Sequence, residues 1–304
     1  MVNLVFKYYT FAHKSHSRTL FKHFSAIFYM ILEGKPVAEK ILKEVKEGVD
    51  KLGFAPGLAV VRVGEDPASK VYVGSKIKRA SEVGIKGTEH HLPETATESE
   101  LLELVHKLNN DSSVHGFIVQ LPLPAHINAE KVLESIYPEK DVDGLHPQNL
   151  GKLVAGDPAF VPATPMGVME MLSHYKIEIA GKNAVVVGRS NMVGKPMSAL
   201  LLNANATVET CHSKTRDLAE HTKRAEILVV AVGKAKLITE DMVREGATVI
   251  DVGMNRVEGK LAGDVDFEKV KEKTSVSPVP GGVGLLTVAC LMKNVLKAAE
   301  KGKP

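Results

Sequence analysis

Ser69, Tyr72 and Lys76 stand at i, i+3 and i+7 in a stretch that reads as a helix behind Pro67, so their side chains share one face. A tyrosine offers a flat apolar wall. A lysine amine beside it, once partly drawn out of water, gives up its proton more readily and can exchange protons near neutrality. The same spacing also suits a solvated helix surface, with Val71, Ile77 and Ala80 on the opposite faces. The spacing alone leaves both readings open.

Gln120 closes the apolar run Phe117-Ile118-Val119, and ligands of open α/β sheets bind at that end of a strand. It is either a satisfied strand-end amide or a site residue. Asp141-Val142-Asp143-Gly144 pairs two acids at i, i+2. No further oxygen ligands follow at calcium-loop spacing, so the alternatives are a turn or one acid facing a cleft. His90, His91, His106, His115, His126 and His146 form no metal spacing.

Asn183–Met197 runs from an apolar strand, Ala184–Val187, through Gly188 to a second glycine, Gly194, and a helical pattern. Strand, glycine turn and helix N-terminus in that order present unpaired N–H groups to an anion. Ser190 stands where the dinucleotide fingerprint has its second glycine, so the loop alone is equally a tight structural turn.

These residues need a frame. Apolar spacing predicts a helix over Gly34–Leu52, then strands at Leu58–Val63, near Ile85–Leu92 and at Gly116–Gln120, with helices from Pro67 to about Val83 and over Ser99–Leu108. Pro122 and Pro124 end the third strand. Pro138–Pro165 is rich in Pro, Gly and Asp and marks a boundary between domains. Five further strands follow, at Ala184–Val187, Thr207–Cys211, Ile227–Val232, Thr248–Val252 and Ser275–Val276, separated by helices. That alternation predicts an α/β fold of two domains around a cleft, the C-terminal one a Rossmann-like doubly wound parallel sheet. Pro278–Gly284 leads into a last helix, Leu285–Ala299.

The 304 residues, 44% apolar and 25% charged, suit a soluble globular protein. The lack of Trp and the 5% aromatic content argue against a stacking groove for single-stranded nucleic acid. Of the formal charge of +3, Lys7, Lys14, Arg18 and Lys22 in the acid-free residues 1–29 contribute +4, which leaves the rest of the chain at −1. The body is close to neutral and gives no reason to expect nucleic acid. No apolar run reaches the length of a membrane span. Cys211 and Cys290, far apart in sequence, suit a reducing cytoplasm. Residues 1–29 are expected to be an extension, disordered or not translated, ahead of a start-like Met30; a transit peptide is the alternative. His13 and His16 lie in it and are not expected to bind metal.

Nine motifs then fall in order: VGEDPASKVYVGSK (63–76), GFIVQLPLP (116–124), PEKDVDGLHPQNLG (138–151), PATPMG (162–167), VVVGRSNMVGKPM (185–197), CHSKT (211–215), VIDVGMNR (249–256), GDVDF (263–267) and PVPGGVG (278–284). From Met30 to Lys297 the chain resembles the bifunctional methylenetetrahydrofolate dehydrogenase/cyclohydrolase family of one-carbon metabolism. The resemblance implies NADP-linked oxidation of 5,10-methylenetetrahydrofolate to the methenyl cation, then hydrolysis to 10-formyltetrahydrofolate, by a homodimer without a metal. It implies that Lys76 shuttles protons, Gln120 holds that lysine neutral, Tyr72 packs on the aminobenzoyl ring, Asp143 bonds the pterin and Ser69 supports the lysine. Val119, Leu121, Pro280, Gly281, Gly282 and Thr287 would also contact folate. Gly188, Arg189, Ser190, Ser213 and Met254 would bind the dinucleotide. Residues 30–161 with 285–304 would form the catalytic folate domain, and 162–284 the cofactor domain. A dehydrogenase with little hydrolase activity, or a silent binding protein, are the alternatives. The family usually has Pro-Met where this chain has Leu285-Leu286.

The strand after the glycine loop ends Cys211-His212-Ser213-Lys214, without the acid an NAD site places there to hold the ribose hydroxyls, although Glu209 lies inside it. Arg189 and Ser213 suit a 2′-phosphate instead, so NADP is the expected cofactor.

Overall fold

The computed structural model describes residues 4–11 and 23–301. The first sheet is parallel and three-stranded: β3 (Gly57–Val63) lies between β4 (Lys86–Leu92) and β5 (Gly116–Val119). Every residue of β3 and β5 is buried: β3 is the central strand, covered on both faces, and the outer side of β5 is bridged at Phe117 by Asp141. The layers over this sheet include α1 (Gly34–Leu52), α2 (Pro67–Glu82) and α3 (Glu98–Asn110). Helix α1 puts Val37, Ile41, Val45 and Val49 on one buried stripe, the 3.6-residue period read as a surface. Helix α3 opens with a reciprocal capping box between Thr97 and Glu100.

The stretch between the sheets is more structured than its turn-rich composition predicts. Ahead of it lies the short α4 (Ala129–Glu134), and it holds α5 (Pro147–Val154) and the start of α6 (Ala163–His174). Helix α5 begins with proline at its first position and takes a cap from His146, so the proline that suggested a break in fact starts a helix.

The second sheet has five parallel strands in the order β12 (Ser275–Val276), β9 (Thr248–Asp251), β8 (Ile227–Val230), β6 (Asn183–Val187) and β7 (Thr207–Cys211). The chain runs from β6 out to β7 and then back to β8 on the other side. The strand order therefore reverses between β6 and β8, and the crevice beyond their carboxyl ends is where such sheets bind ligands. Helices α7 (Gly194–Asn203), α8 (Leu218–Thr222) and α9 (Phe267–Val270) lie between these strands in sequence. A small hairpin, β10 (Asn255–Val257) and β11 (Lys260–Ala262), follows β9; its strands are too short for the periodicity to reveal.

Helix α10 (Val283–Lys301) starts two residues before the expected point and takes in both Leu285 and Leu286. Leu286 is fully buried, and a Cβ on Gly167 of α6 would stand 2.7 Å from it. The helix therefore keeps its start without the family's proline. It packs on both α1 and α6 and so spans the two halves of the molecule.

Ahead of α1, β1 (Leu4–Phe11) and β2 (His23–Met30) pair antiparallel. Ile31 bridges Val276 in parallel, and the Leu32 N–H donates to the Val276 carbonyl at 2.9 Å. Tyr29 is buried at 2% exposure. His13 and His16 lie outside the described residues.

One buried amide ties α10 to the segment between the sheets. Asn294, 1% exposed, donates from Nδ2 to the carbonyls of Val142 (2.8 Å) and Val161 (2.9 Å). Replacement by alanine strands both carbonyls away from water. Asn294→Ala is therefore expected to lower the unfolding free energy by about 2–4 kcal/mol, measured as a lower urea midpoint with unchanged slope. A midpoint equal to the parent's would refute the tie.

Candidate functional site

Helix α2 is phased by its first turn. The Asp66 carboxylate accepts the Ser69 N–H at 2.7 Å, Pro67 opens the helix, and Ser69 itself is buried. The hydrogen bond described for Ser69 is to Asp66, not to Lys76. From that start the buried positions are Ser69, Val73, Lys76 and Ala80, while Val71 is 68% exposed. The expected arrangement is corrected here. The lysine face is the inner face and includes Ala80, and Val71 points out. The solvated-face reading of Lys76 falls with it.

Lys76 is 8% exposed, and its Nζ donates to Gln120 Oε1 at 3.0 Å. The Gln120 amide is oriented from its other end, where Nε2 donates to the Leu121 carbonyl at 2.7 Å. Burial pushes the Lys76 ammonium below the usual lysine range, and the charge of Asp143 opposes that fall in part. The two acids of the Asp-Val-Asp-Gly run have separate tasks. Asp141 is buried and holds the turn, accepting the His146 N–H and Asn149 Nδ2 at 2.8 Å each. Asp143 lines the cavity with Lys76.

That cavity, about 280 Å³, is lined among others by Tyr72, Lys76, Val119, Gln120, Leu121 and Asp143. Thr287 enters it from α10 and Met254 from the β9–β10 turn. The Tyr72 hydroxyl touches Met254 Sδ. Beyond that contact lies a second, more apolar cavity of about 430 Å³. Tyr72 and Met254 border both. Pro280, Gly281 and Gly282 line the larger cavity and not the one that holds the lysine.

Several liners lie outside the predicted site residues, Thr164, Met192 and Arg256 among them. Thr164 bonds Thr287 hydroxyl to hydroxyl at 3.0 Å beside the lysine cavity, and the only signal for it was its place in the PATPMG motif. Met192 lies in the glycine loop and reaches the same cavity. Arg256 lines the larger one, and the only signal for it was its place at the end of the VIDVGMNR motif.

The glycine loop lies at the strand-order reversal. Gly188 has φ +133°, and a Cβ there would stand 2.3 Å from the Ala231 carbonyl oxygen; one on Gly194 would meet the Gly188 carbonyl oxygen at 2.1 Å. Only glycine permits this close backbone approach. Ser190 is no defect in it: its hydroxyl accepts the Val193 N–H at 3.1 Å and the Gly194 N–H at 3.4 Å, holding the turn into α7. Arg189, Ser190 and Ser213 are exposed at the ends of β6 and β7. Glu209, the acid inside β7, is engaged by His221 at 2.6 Å and Arg224 at 3.7 Å.

Residues 32–143 match the model of the tetrahydrofolate dehydrogenase/cyclohydrolase catalytic domain, and residues 162–303 that of its NAD(P)-binding domain. The chain belongs to the tetrahydrofolate dehydrogenase/cyclohydrolase family. Methylenetetrahydrofolate dehydrogenase and cyclohydrolase activity follows from that membership. The chain is 54% identical over 275 residues to the bifunctional protein FolD of Nautilia profundicola, covering 89% of this chain and 97% of that protein. Among solved structures, the FolD enzyme of Campylobacter jejuni is 50% identical with a TM-score of 0.88, covering 89% of this chain and 98% of that one. The Trypanosoma brucei enzyme, solved with NADP cofactor and an inhibitor, is 38% identical with a TM-score of 0.86, covering 90% and 98%.

The lowered lysine pKa has a stability consequence. A folded lysine that loses its proton at lower pH than an unfolded one leaves the unfolded state holding more protons between the two values, so stability rises with pH across that interval. Lys76→Met removes the buried amine. Its stability gain over the parent, from urea unfolding, is expected to be larger at pH 7 than near the ordinary lysine value of about 10.4. Equal gains at both pH values would overturn this.

Proposed function

We propose that the enzyme oxidises 5,10-methylenetetrahydrofolate with NADP and hydrolyses the methenyl product to 10-formyltetrahydrofolate at one site, with Lys76 as the proton carrier. The observation that carries this reading is the buried Lys76 amine, held on Gln120 and facing Asp143 in a cavity shared by both halves of the molecule.

Tyr72 walls the aminobenzoyl ring, Asp143 bonds the pterin, and Val119, Leu121 and Thr287 close around it. Pro280, Gly281 and Gly282 line the way out. When bound at Gly188–Ser190, the dinucleotide supplies the acceptor for the hydride that leaves the methylene carbon. The residues present suit it: Gly188 and Gly194 let the backbone fold tightly into the turn ahead of α7, whose N-terminal N–H groups would face an anion. In the second reaction water adds to the methenyl carbon. The neutral Lys76 amine takes the proton released, and the bond from that carbon to N5 breaks as N5 gains a proton. Gln120 accepts from the lysine in either protonation state and holds it in reach of the carbon. Met254 flanks the cofactor beside Tyr72.

NADP is favoured over NAD by Arg189 and Ser213 at the strand ends, where a 2′-phosphate would lie, and by the engagement of Glu209 with His221 and Arg224. The buried free thiols Cys211 and Cys290 agree with a cytoplasmic setting. A homodimer belongs to the same reading. Val154 and Leu202, 69% and 61% exposed on the neighbouring helices α5 and α7, are apolar surface that a second copy could cover.

Two variants test the assignment. Lys76→Met is expected to cut methenyltetrahydrofolate hydrolysis by about 10²–10⁴-fold, read as persistent methenyl absorbance; hydrolysis at the parent rate would end the role. Arg189→Ala is expected to raise KM for NADP about tenfold or more while leaving that for NAD within about twofold. An unchanged ratio of the two would remove Arg189 from cofactor selection.

A further inference from the structure

We infer that Asp264 is a positioning residue for the dinucleotide site, clamping the backbone that forms one lip of the cofactor crevice. Asp264 is fully buried, and its carboxylate takes four N–H donors. Oδ2 accepts from the backbone of Val232 (2.7 Å) and Gly233 (3.0 Å). Oδ1 accepts from the backbone of Lys234 (2.8 Å) and from Asn255 Nδ2 (2.9 Å). Three successive amides after β8 thus converge on one side chain that lies thirty residues further along the chain.

The place of this clamp gives it a role beyond stability. The loop it holds leaves β8, and the glycine loop leaves β6, so the two flank the point where strand order reverses. They touch there: a Cβ on Gly188 would meet the Ala231 carbonyl oxygen at 2.3 Å. A shift of residues 231–234 therefore moves the floor under Gly188. The other donor, Asn255, follows Met254, which borders both cavities. A second buried acid locks the clamp in turn. Asp251, at the end of β9, accepts the N–H groups of Gly253, Asp264 and Val265 at 2.9, 3.0 and 2.9 Å. Glycines let the two acids approach, since a Cβ on Gly253 would lie 2.2 Å from the Asp264 carboxyl carbon, and one on Gly263 would lie 1.8 Å from Asp251 Oδ2.

The inference rests on dinucleotide binding at this crevice, and the two activities separate the outcomes. Methenyl hydrolysis uses Lys76 of α2 and Gln120 just past β5, in the other half of the molecule, and needs no cofactor, so it reports on the folate site alone. Asp264→Asn keeps the shape but turns an NH2 toward two N–H donors. In the full-length enzyme it is expected to weaken NADPH binding, followed by cofactor fluorescence, by about tenfold or more, with methenyl hydrolysis within about twofold of the parent. NADPH binding equal to the parent's would overturn the clamp. Loss of both activities together in a folded variant would make the residue merely structural and overturn it as well. A parent that binds no NADPH would instead fail the cofactor reading itself. Should Asp264→Asn not fold, Asn255→Ala decides: it removes one donor and leaves the backbone amides. A weakening of about two- to fivefold with hydrolysis intact supports the clamp, and unchanged binding refutes it.

Discussion

The constraint on which the site depends is the cost of keeping an amine out of water. An ammonium buried without a full partner loses much of its hydration, so the protein must either pair it or let it lose its proton. Lys76 receives only partial help. Gln120 offers a neutral oxygen, and the carboxylate of Asp143 acts on it across the cavity. The rest of the catalytic half holds this compromise in place. Asp66 sets the phase of α2 so that Lys76 turns inward. Strand β5, buried along its whole length, delivers Gln120 at its end. Asn294 of α10 grips the carbonyl of Val142, next to Asp143. Asp66 caps the lysine's own helix, whereas Gln120 and Asn294 reach the site from far along the chain.

The cofactor half solves a different problem with the same tools. Backbone must come close to backbone around an anionic ligand, and no side chain can intervene. Glycine meets that need at 188 and 194, where any Cβ would strike a carbonyl oxygen. Close backbone leaves many N–H groups without carbonyl partners, and the structure answers with acceptors on side chains: the Ser190 hydroxyl for two amides, Asp251 for three, Asp264 for three and an asparagine. Buried carboxylates that accept several N–H bonds are costly to desolvate. Burial pushes Asp251 up to about 6 despite its three donors. They persist because without them the loops would expose unpaired amides.

Much of this was legible before the coordinates. The central strands announce themselves as apolar runs, and Thr207–Cys211 and Gly34–Leu52 have the bounds that the pattern predicts. The nine motifs carried the family. What stayed hidden has a common cause. The orientation of α2 could not be read because its apolar residues, Val71 among them, do not form a clean stripe, so the buried face is decided by tertiary packing and not by period. Helices α4, α8 and α9 and the β10–β11 hairpin are too short for any period to register. The composition of 138–165 suggested turns, yet Pro147 starts a helix there. Ser190 looked like a missing glycine because a sequence shows a residue's type and not the amides its hydroxyl meets. Asp264 looked like one acid among many, since its partners lie thirty positions away.

The electrostatics of the lysine cavity also bear on why two reactions can share it. The methenyl product is a cation, and a protonated Lys76 beside it would oppose its formation. In the proposed mechanism an amine held below its ordinary pKa lowers that repulsion and also serves as the base for the hydrolysis that follows. The carboxylate of Asp143, on the wall of the same cavity, favours a positive carbon. Hydride removal and water addition ask for the same charge distribution. On the proposed mechanism one depressed lysine serves both, while the dinucleotide loops across the crevice have only to hold the acceptor in place.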